Sequence, residues 1–247
     1  NTTDENVIEN PVQPEKEKTM EELKNEFVKT INNSFNVEEK DISKIERINT
    51  EKSIVYIAYS IQQENKFYDI DLNIPMINIK GNIPKEFNKV TQEVFVKKAN
   101  EVRKNKNNAE KIIYSIDYVG YLNDNILSII IKSSLKQGNN PQRIIIQTYN
   151  YNIETKEKVS LNNIIEQKNI NVQELQNKIN DVLKSVKKEE TILINSGYPV
   201  YERNLESEIY KIENITNFFL NEEGKLYIVF AYGNQNFTSE FDIVKYE

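Results

Sequence analysis

The sequence predicts an α+β protein in which antiparallel sheets, laid out as meanders, pack with two or three amphipathic helices. Three observations carry this. From Ile112 to Ile153, runs rich in β-branched and aromatic residues are cut by Asn123-Asp124-Asn125 and by a Gly- and Pro-bearing stretch at 138–141, the signature of consecutive antiparallel strands. Two long stretches, opening at Pro84 and Val172, instead repeat apolar residues at helical spacing. A last block from Ile215 to Val244 returns to strand patterning around a turn at 221–224.

The elements follow in order. Residues 1–18 carry Pro11, Pro14 and several charges with almost no apolar side chain, so they cannot offset the entropy of ordering and read as a disordered linker or tether. A helical segment over 19–50 opens at Thr19, which can form a capping box with Glu22, while Met20, Leu23, Phe27 and Ile31 recur on one face. The first α+β half covers 51–146. Within it the stretch Lys52–Gln62 suits a strand apolar on both faces, and Phe67–Ile74 alternates through Asp69 and Asp71; the two pair as a hairpin about 63–66. Pro84 then starts a helix reaching Lys104, with Phe87, Val90, Val94, Ala99 and Val102 on one face. Strands at Ile112–Tyr121, Ile126–Leu135 and Arg143–Ile153 form the meander. The second half, 147–247, packs with the first as one unit. It holds a helix over Val172–Val186, with Leu175, Ile179, Val182, Leu183 and Val186 inward, a shorter helix over Glu202–Ile212, and strands at Ile215–Leu220, Leu226–Tyr232 and Phe237–Val244.

Composition removes whole classes of chemistry. The 247 residues include no His, no Cys and no Trp. Zinc hydrolases, Ser-His-Asp and Cys-His pairs, thiol redox sites and disulfide frameworks all need residues that are missing, so no cofactor and no metal centre is expected. The 32 Lys+Arg stand against 38 Asp+Glu for a net charge of −6, which argues against nucleic acid as a partner. The longest apolar runs, such as Ile126–Ile131, fall far short of the roughly 20 residues that cross a bilayer. Because the chain begins at Asn1 without a leader, an extracytoplasmic location is expected, with any membrane contact made through an anchor upstream of residue 1.

Local constellations have plain readings. Asp69 and Asp71 lie two apart and share one sheet face; with no third ligand they read as a solvated face, not a cation site. Lys97, Lys98, Arg103, Lys104 and Lys106 place cations at a helix C-terminus, where the dipole favours them. The runs 38–41 and 187–190 mix charges as solvated surfaces do, and Gly120 and Gly197 read as local turn devices. The 14 Tyr offer large contact areas with a polar tip, suited to recognition.

Several segments carry a family resemblance. Thr148-Tyr149-Asn150-Tyr151-Asn152, followed by Val159-Ser160-Leu161-Asn162-Asn163-Ile164-Ile165, and then Phe218-Phe219-Leu220 with Glu223-Gly224 and Leu226–Phe230, resemble a domain of unknown function. It is shared by the extracytoplasmic part of RsiV-type anti-sigma factors and the N-terminal region of PdaC-type peptidoglycan deacetylases. Tyr68–Pro75 with the Phe87 helix looks like the companion segment that precedes that domain. In lysozyme-sensing members the late strand ends in a Phe-x-Pro-Tyr-Glu type motif belonging to the lysozyme-binding surface. Here Phe230-Ala231-Tyr232-Gly233-Asn234-Gln235 keeps the Tyr and replaces the Pro with Ala231. The resemblance therefore implies Tyr232, Gly233 and Asn234 as binding residues. It implies a non-catalytic cell-surface recognition or sensor domain of a Gram-positive-type bacterium, binding lysozyme or another protein, or peptidoglycan. A carboxylate-based hydrolase of wall glycan and a structural spacer or adhesin domain are the alternatives.

Overall fold

The computed structural model describes residues 17–35, 37 and 43–247. Helix α1 (Met20–Thr30) starts as its sequence requires: the Thr19 side chain accepts from the Glu22 N–H, and the Glu22 carboxylate accepts from the Thr19 N–H. Strands β1 (Val55–Glu64) and β2 (Tyr68–Ile77) form the expected hairpin. Its turn is built by Asn65, whose side-chain oxygen accepts from the N–H groups of Phe67 and Tyr68. Helix α2 (Asn82–Arg103) carries the chain across to β3 (Ile112–Asn123), and β4 (Ile126–Gln137), β5 (Arg143–Asn152) and the short β6 (Glu157–Lys158) complete a sheet in the order β1-β2-β3-β4-β5-β6. Helices α3 (Leu161–Gln167) and α4 (Val172–Asn195) lead to a second sheet, β7 (Phe218–Leu220), β8 (Leu226–Ala231) and β9 (Phe241–Tyr246).

The α+β class and the antiparallel meanders are as the sequence indicates, with one pairing it does not announce. β2 and β3 run parallel, from Tyr68 opposite Ile112 to Leu72 opposite Ile116, so α2 is the crossover of a βαβ unit. Beyond Leu72 the partner of β3 changes: Asn33 donates its N–H to the Tyr118 carbonyl and Gly120 donates to that of Ser34. Gly120 thus lies within β3 and is not a turn residue. Its missing side chain leaves room for the Phe35 ring, which a Cβ would meet at 2.5 Å.

The layers are α2, the six-stranded sheet, the three-stranded sheet, then α3 and α4. One core fills the space between α2 and the large sheet, with Phe87, Phe95, Ala99 and Val102 against Ile70, Leu72, Ile116 and Ile129. Val90 and Val94, expected on that face, are exposed; Asn88 and Thr91 replace them. Asn88 is there for its hydrogen bonds, since its side chain both accepts from and donates to the backbone of Ile77 at the end of β2. A second core joins the two sheets, with Val119, Ile130 and Ile146 facing Phe219, Val229 and Ile243, closed by Phe27 of α1. A third packs Ile164, Leu175, Ile179 and Leu183 on the far face of the small sheet.

The remaining differences have local causes. β2 runs through Pro75 because the register shift between Ile57 and Tyr59 falls there, where a missing N–H costs no ladder bond. α3 was not expected: its box pairs Ser160 with Asn163, where the sequence signature calls for Glu or Gln. The helix expected over Glu202–Ile212 is absent; only single 3-10 turns form, at Glu208–Tyr210 and Ile212–Asn214. The cause is Arg203, drawn inward by partners described below. β9 begins at Phe241 and not at Phe237, since the Thr238 carbonyl accepts from Ile144 of β5 instead. The boundary at 146/147 falls inside β5. Residues 1–16 of the expected linker and the charge run at 38–41 lie outside the described residues; Glu17 and Lys18 pair with Lys178 and Glu26.

Candidate functional site

Tyr232, Gly233 and Asn234 form a single 3-10 turn where β8 leaves the small sheet. The three residues face different ways. Tyr232 is 1% exposed and lies in the interior. Gly233 is pressed onto β5, so that a Cβ would stand 1.8 Å from the Ile144 carbonyl oxygen; only glycine fits. Asn234 is exposed, and its amide donates to the Ile146 carbonyl at 3.3 Å. Arg143 at the start of β5 holds the turn from outside by donating to the carbonyls of Gly233 and Asn234, and its guanidinium lies 5.2 Å from the centre of the Phe237 ring. Phe237 itself is 66% exposed.

Beneath the turn is a buried ionic network. Asp242 of β9, with no exposed surface, accepts from Arg203 Nε at 2.5 Å and from the Tyr232 hydroxyl at 2.6 Å on one oxygen. Its other oxygen takes Arg203 Nη2 at 3.1 Å and lies 3.0 Å from Lys24 Nζ of α1. The Arg203 pair is bidentate, the geometry for which arginine is preferred to lysine. Arg203 also gives its backbone N–H to Glu190 of α4 at 3.0 Å, and its Nη1 lies 3.4 Å from the same carboxylate. Lys187 binds the other oxygen of Glu190 at 2.8 Å. The Tyr232 ring stacks on Tyr201 at 4.2 Å, and its hydroxyl meets that of Tyr210 at 2.9 Å.

These contacts fix the charge states. Burial alone would push the Asp242 carboxyl up, but the hydrogen bond from Arg203 and the charges of Lys24 and Arg203 outweigh it and hold the group below the ordinary carboxylate range. Burial, then the Asp242 charge, pushes the Tyr232 hydroxyl far up, and burial takes that of Tyr210 to about 12. Tyr232 is therefore a locked proton donor and Asp242 a saturated acceptor. The network positions the turn.

Beside the turn is a recess of about 120 Å³, lined at its polar side by Asn214, Thr216, Asn217, Asn234 and Gln235. No charged side chain lines it. Its volume is below the roughly 300 Å³ at which pockets begin to enclose a small ligand, so it suits one substituent of a larger molecule. The Asn217 side chain also bridges the sheets, accepting from the Thr148 N–H at 3.2 Å and donating to the Ile146 carbonyl at 3.2 Å. The backbone of β7 is held the same way: Asn150 donates to the Phe218 carbonyl, and Ser128 accepts from the Leu220 N–H.

The pair Asp69 and Asp71 lies on the open part of the large sheet's second face, near Asp117. Among the described residues, no group of three or more acidic side chains is placed to hold a metal ion. Sequence reasoning missed Arg203, Asp242, Glu190 and Lys24. One signal was present: only four of the 32 cationic residues are Arg, and two of them, Arg143 and Arg203, hold this turn.

No protein-family model matches the chain, and no curated protein matches it. Solved structures similar to it include a DUF3298 family protein from Pseudomonas aeruginosa, 11% identical over 77% of this chain and 86% of that one, with a TM-score of 0.43. Another is a DUF3298 family member from Bacteroides fragilis, 11% identical over 72% of this chain and 80% of that one, with a TM-score of 0.36. DUF3298 is a domain family of unknown function. At this level of likeness no residue role passes from either protein to this chain.

Proposed function

We propose that this is a non-catalytic recognition domain that works outside the cytoplasm and binds the glycan of the bacterial cell wall. The observation that carries this reading is the uncharged, amide-lined recess at the end of β8, held on a rigid ionic base with the exposed Phe237 ring on the same loop. Side-chain amides pair with hydroxyl and acetamido groups without a desolvated charge, and an aromatic face suits the apolar side of a sugar ring. The recess accepts one such group while the rest of the polymer lies across the surface. The resemblance of 148–165 and 218–230 to the domain shared by RsiV-type and PdaC-type proteins supports the same setting.

Lysozyme as the partner is favoured by a different observation, the net charge of −6, which would steer a basic protein toward the domain. The uncharged recess favours glycan over it. A carboxylate-based hydrolase finds little support in the deepest carboxylates: Asp242 and Glu190 are enclosed and already paired with Arg203, Lys24 and Lys187. The test is co-sedimentation with purified peptidoglycan, run beside a calorimetric titration with lysozyme. The proposal expects wild-type protein in the pellet and Asn234→Ala with Gln235→Ala in the supernatant. Equal pelleting of both proteins, or heat of binding with lysozyme alone, would overturn it.

A further inference from the structure

Helix α4 runs one and a half turns past its last buried residue. Glu190 is 2% exposed, and residues 191–199 are then all exposed. Beside Thr191, Asn195 and Ser196, this overhang carries large apolar and aromatic side chains: Ile192 is 66% exposed, Leu193 42%, Ile194 41% and Tyr198 62%. The first three are consecutive, so at about 100° per residue they point around the helix and do not form a stripe along it. A helix docked in a protein groove presents apolar residues at i, i+3, i+4 and i+7. Just upstream of this tip, however, the exposed positions are Lys184, Ser185, Lys188 and Glu189. A medium that surrounds the end of the helix fits better than a partner lying along it.

The backbone of the tip is closed on itself. Gly197 adopts φ +83°, Tyr198 donates its N–H to the Leu193 carbonyl at 3.0 Å, and Gly197 donates to that of Ile194 at 2.9 Å. This is a Schellman closure. The Ile192 carbonyl takes both the N–H and the hydroxyl of Ser196, at 3.1 and 2.8 Å. The carbonyls of Ile192, Leu193 and Ile194, which a water-facing helix end can leave to solvent, are thus satisfied internally, as entry into an apolar phase demands. The last turn also has no basic residue, although its dipole would favour one.

We infer that the tip 191–199 inserts into the interfacial layer of a lipid bilayer. Ile192 to Asn195 spans one turn, a depth of about 5 Å, which matches the shallow burial of interfacial helices. Lys188 stands about 6 Å up the axis from Ile192, at the level of the headgroups, and Tyr198 suits the boundary itself. This proposal is independent of glycan binding, which uses the recess beside β8. With a net charge of −6 and a stem of mixed charge, insertion and not attraction carries the affinity, so binding should depend little on salt or on anionic lipid.

The absence of Trp from the chain gives a clean test. Leu193→Trp introduces a single indole, to be followed with vesicles of phosphatidylcholine alone and of phosphatidylcholine mixed with phosphatidylglycerol. The expected result is a blue-shifted emission quenched by brominated acyl chains in both lipids. In unsubstituted protein, co-sedimentation with the same vesicles should fall about tenfold or more in the double variant Ile192→Asp, Leu193→Asp. Both positions are exposed, so the fold is kept, and circular dichroism checks this. No partition of the unsubstituted protein, or equal partition of the double variant, would overturn the inference. So would a concentration-dependent dimer in sedimentation velocity that the double variant abolishes, since the tip would then be covered by a second copy.

Discussion

Asp242→Asn isolates the ionic base of the recess with almost no change in shape. In the wild type, Asp242 accepts two bonds from Arg203 and one from Tyr232 and faces Lys24, all with no exposed surface of its own. An amide in its place offers one acceptor oxygen and turns two N–H donors toward groups that are themselves donors. Arg203, 3% exposed, keeps as charged partners Glu190 and the longer contact to Glu240, beside the Tyr201 carbonyl that its Nη1 binds at 3.1 Å. Removing one member of a buried pair costs about 3–5 kcal/mol. At about 2–4 °C per kcal/mol for a chain of this size, the melting temperature should fall by roughly 10 °C. Differential scanning calorimetry at pH 7 measures it. A second reading comes from acid. The folded carboxyl of Asp242 is held below its ordinary value of 3.8, so its stabilisation is complete above that value and is lost as pH falls through the folded pKa. The wild type should therefore lose its advantage over Asp242→Asn as pH drops below about 4. A fall of less than about 3 °C at neutral pH, or a gap between the two proteins that is unchanged in acid, would refute the reasoning.

Gly233→Ala forces a Cβ to 1.8 Å from the Ile144 carbonyl oxygen, so the turn must leave β5; a loss of about 3 kcal/mol or more in urea unfolding is expected, with loss of glycan binding. Gly120→Ala should cost about 1–3 kcal/mol by displacing the Phe35 ring, and adding Phe35→Ala should recover part of that loss, a coupling that a double-mutant cycle in urea would read. Asp71→Asn should raise stability slightly, by less than about 0.5 kcal/mol, because partial burial and the neighbouring Asp117 and Asp69 push its carboxyl up and the charge is unfavourable in the fold; calorimetry at pH 7 checks the sign. Asn88→Ala strips two hydrogen bonds from the backbone of Ile77 and should cost about 2–3 kcal/mol in the same urea assay.

The parts of the fold that were legible are those where one local signal decides. The Thr19 box sets the start of α1, the turn at 123–125 sets the β3–β4 hairpin, and the 3.6-residue period sets α4 up to Val186. Hidden features needed distant residues. The parallel pairing of β2 with β3 depends on where α2 lands, and the loss of the helix over 202–212 depends on Arg203 finding Asp242, 39 positions away. The same holds for the site. The turn at 232–234 was marked by resemblance, yet its chemistry comes from α1, α4, β5 and β9, which periodicity treats separately. Tyr232 shows why: a tyrosine ending a strand reads as surface, and only the buried Asp242 draws its ring inward. The overhang of α4 was invisible for another reason. It lies beyond the helix that the sequence predicts, which ends at Val186, and its consecutive apolar residues carry no helical period.

The most direct test of the central claim is a titration of isotope-labelled protein with a soluble peptidoglycan fragment, followed through the side-chain amide signals of Asn and Gln. The account requires saturable shifts concentrated at Asn214, Asn217, Asn234 and Gln235, with the indirect-ring signals of Phe237 moving alongside. Shifts confined to the acidic face around Asp69 and Asp71, or none at any fragment concentration reached, would contradict it.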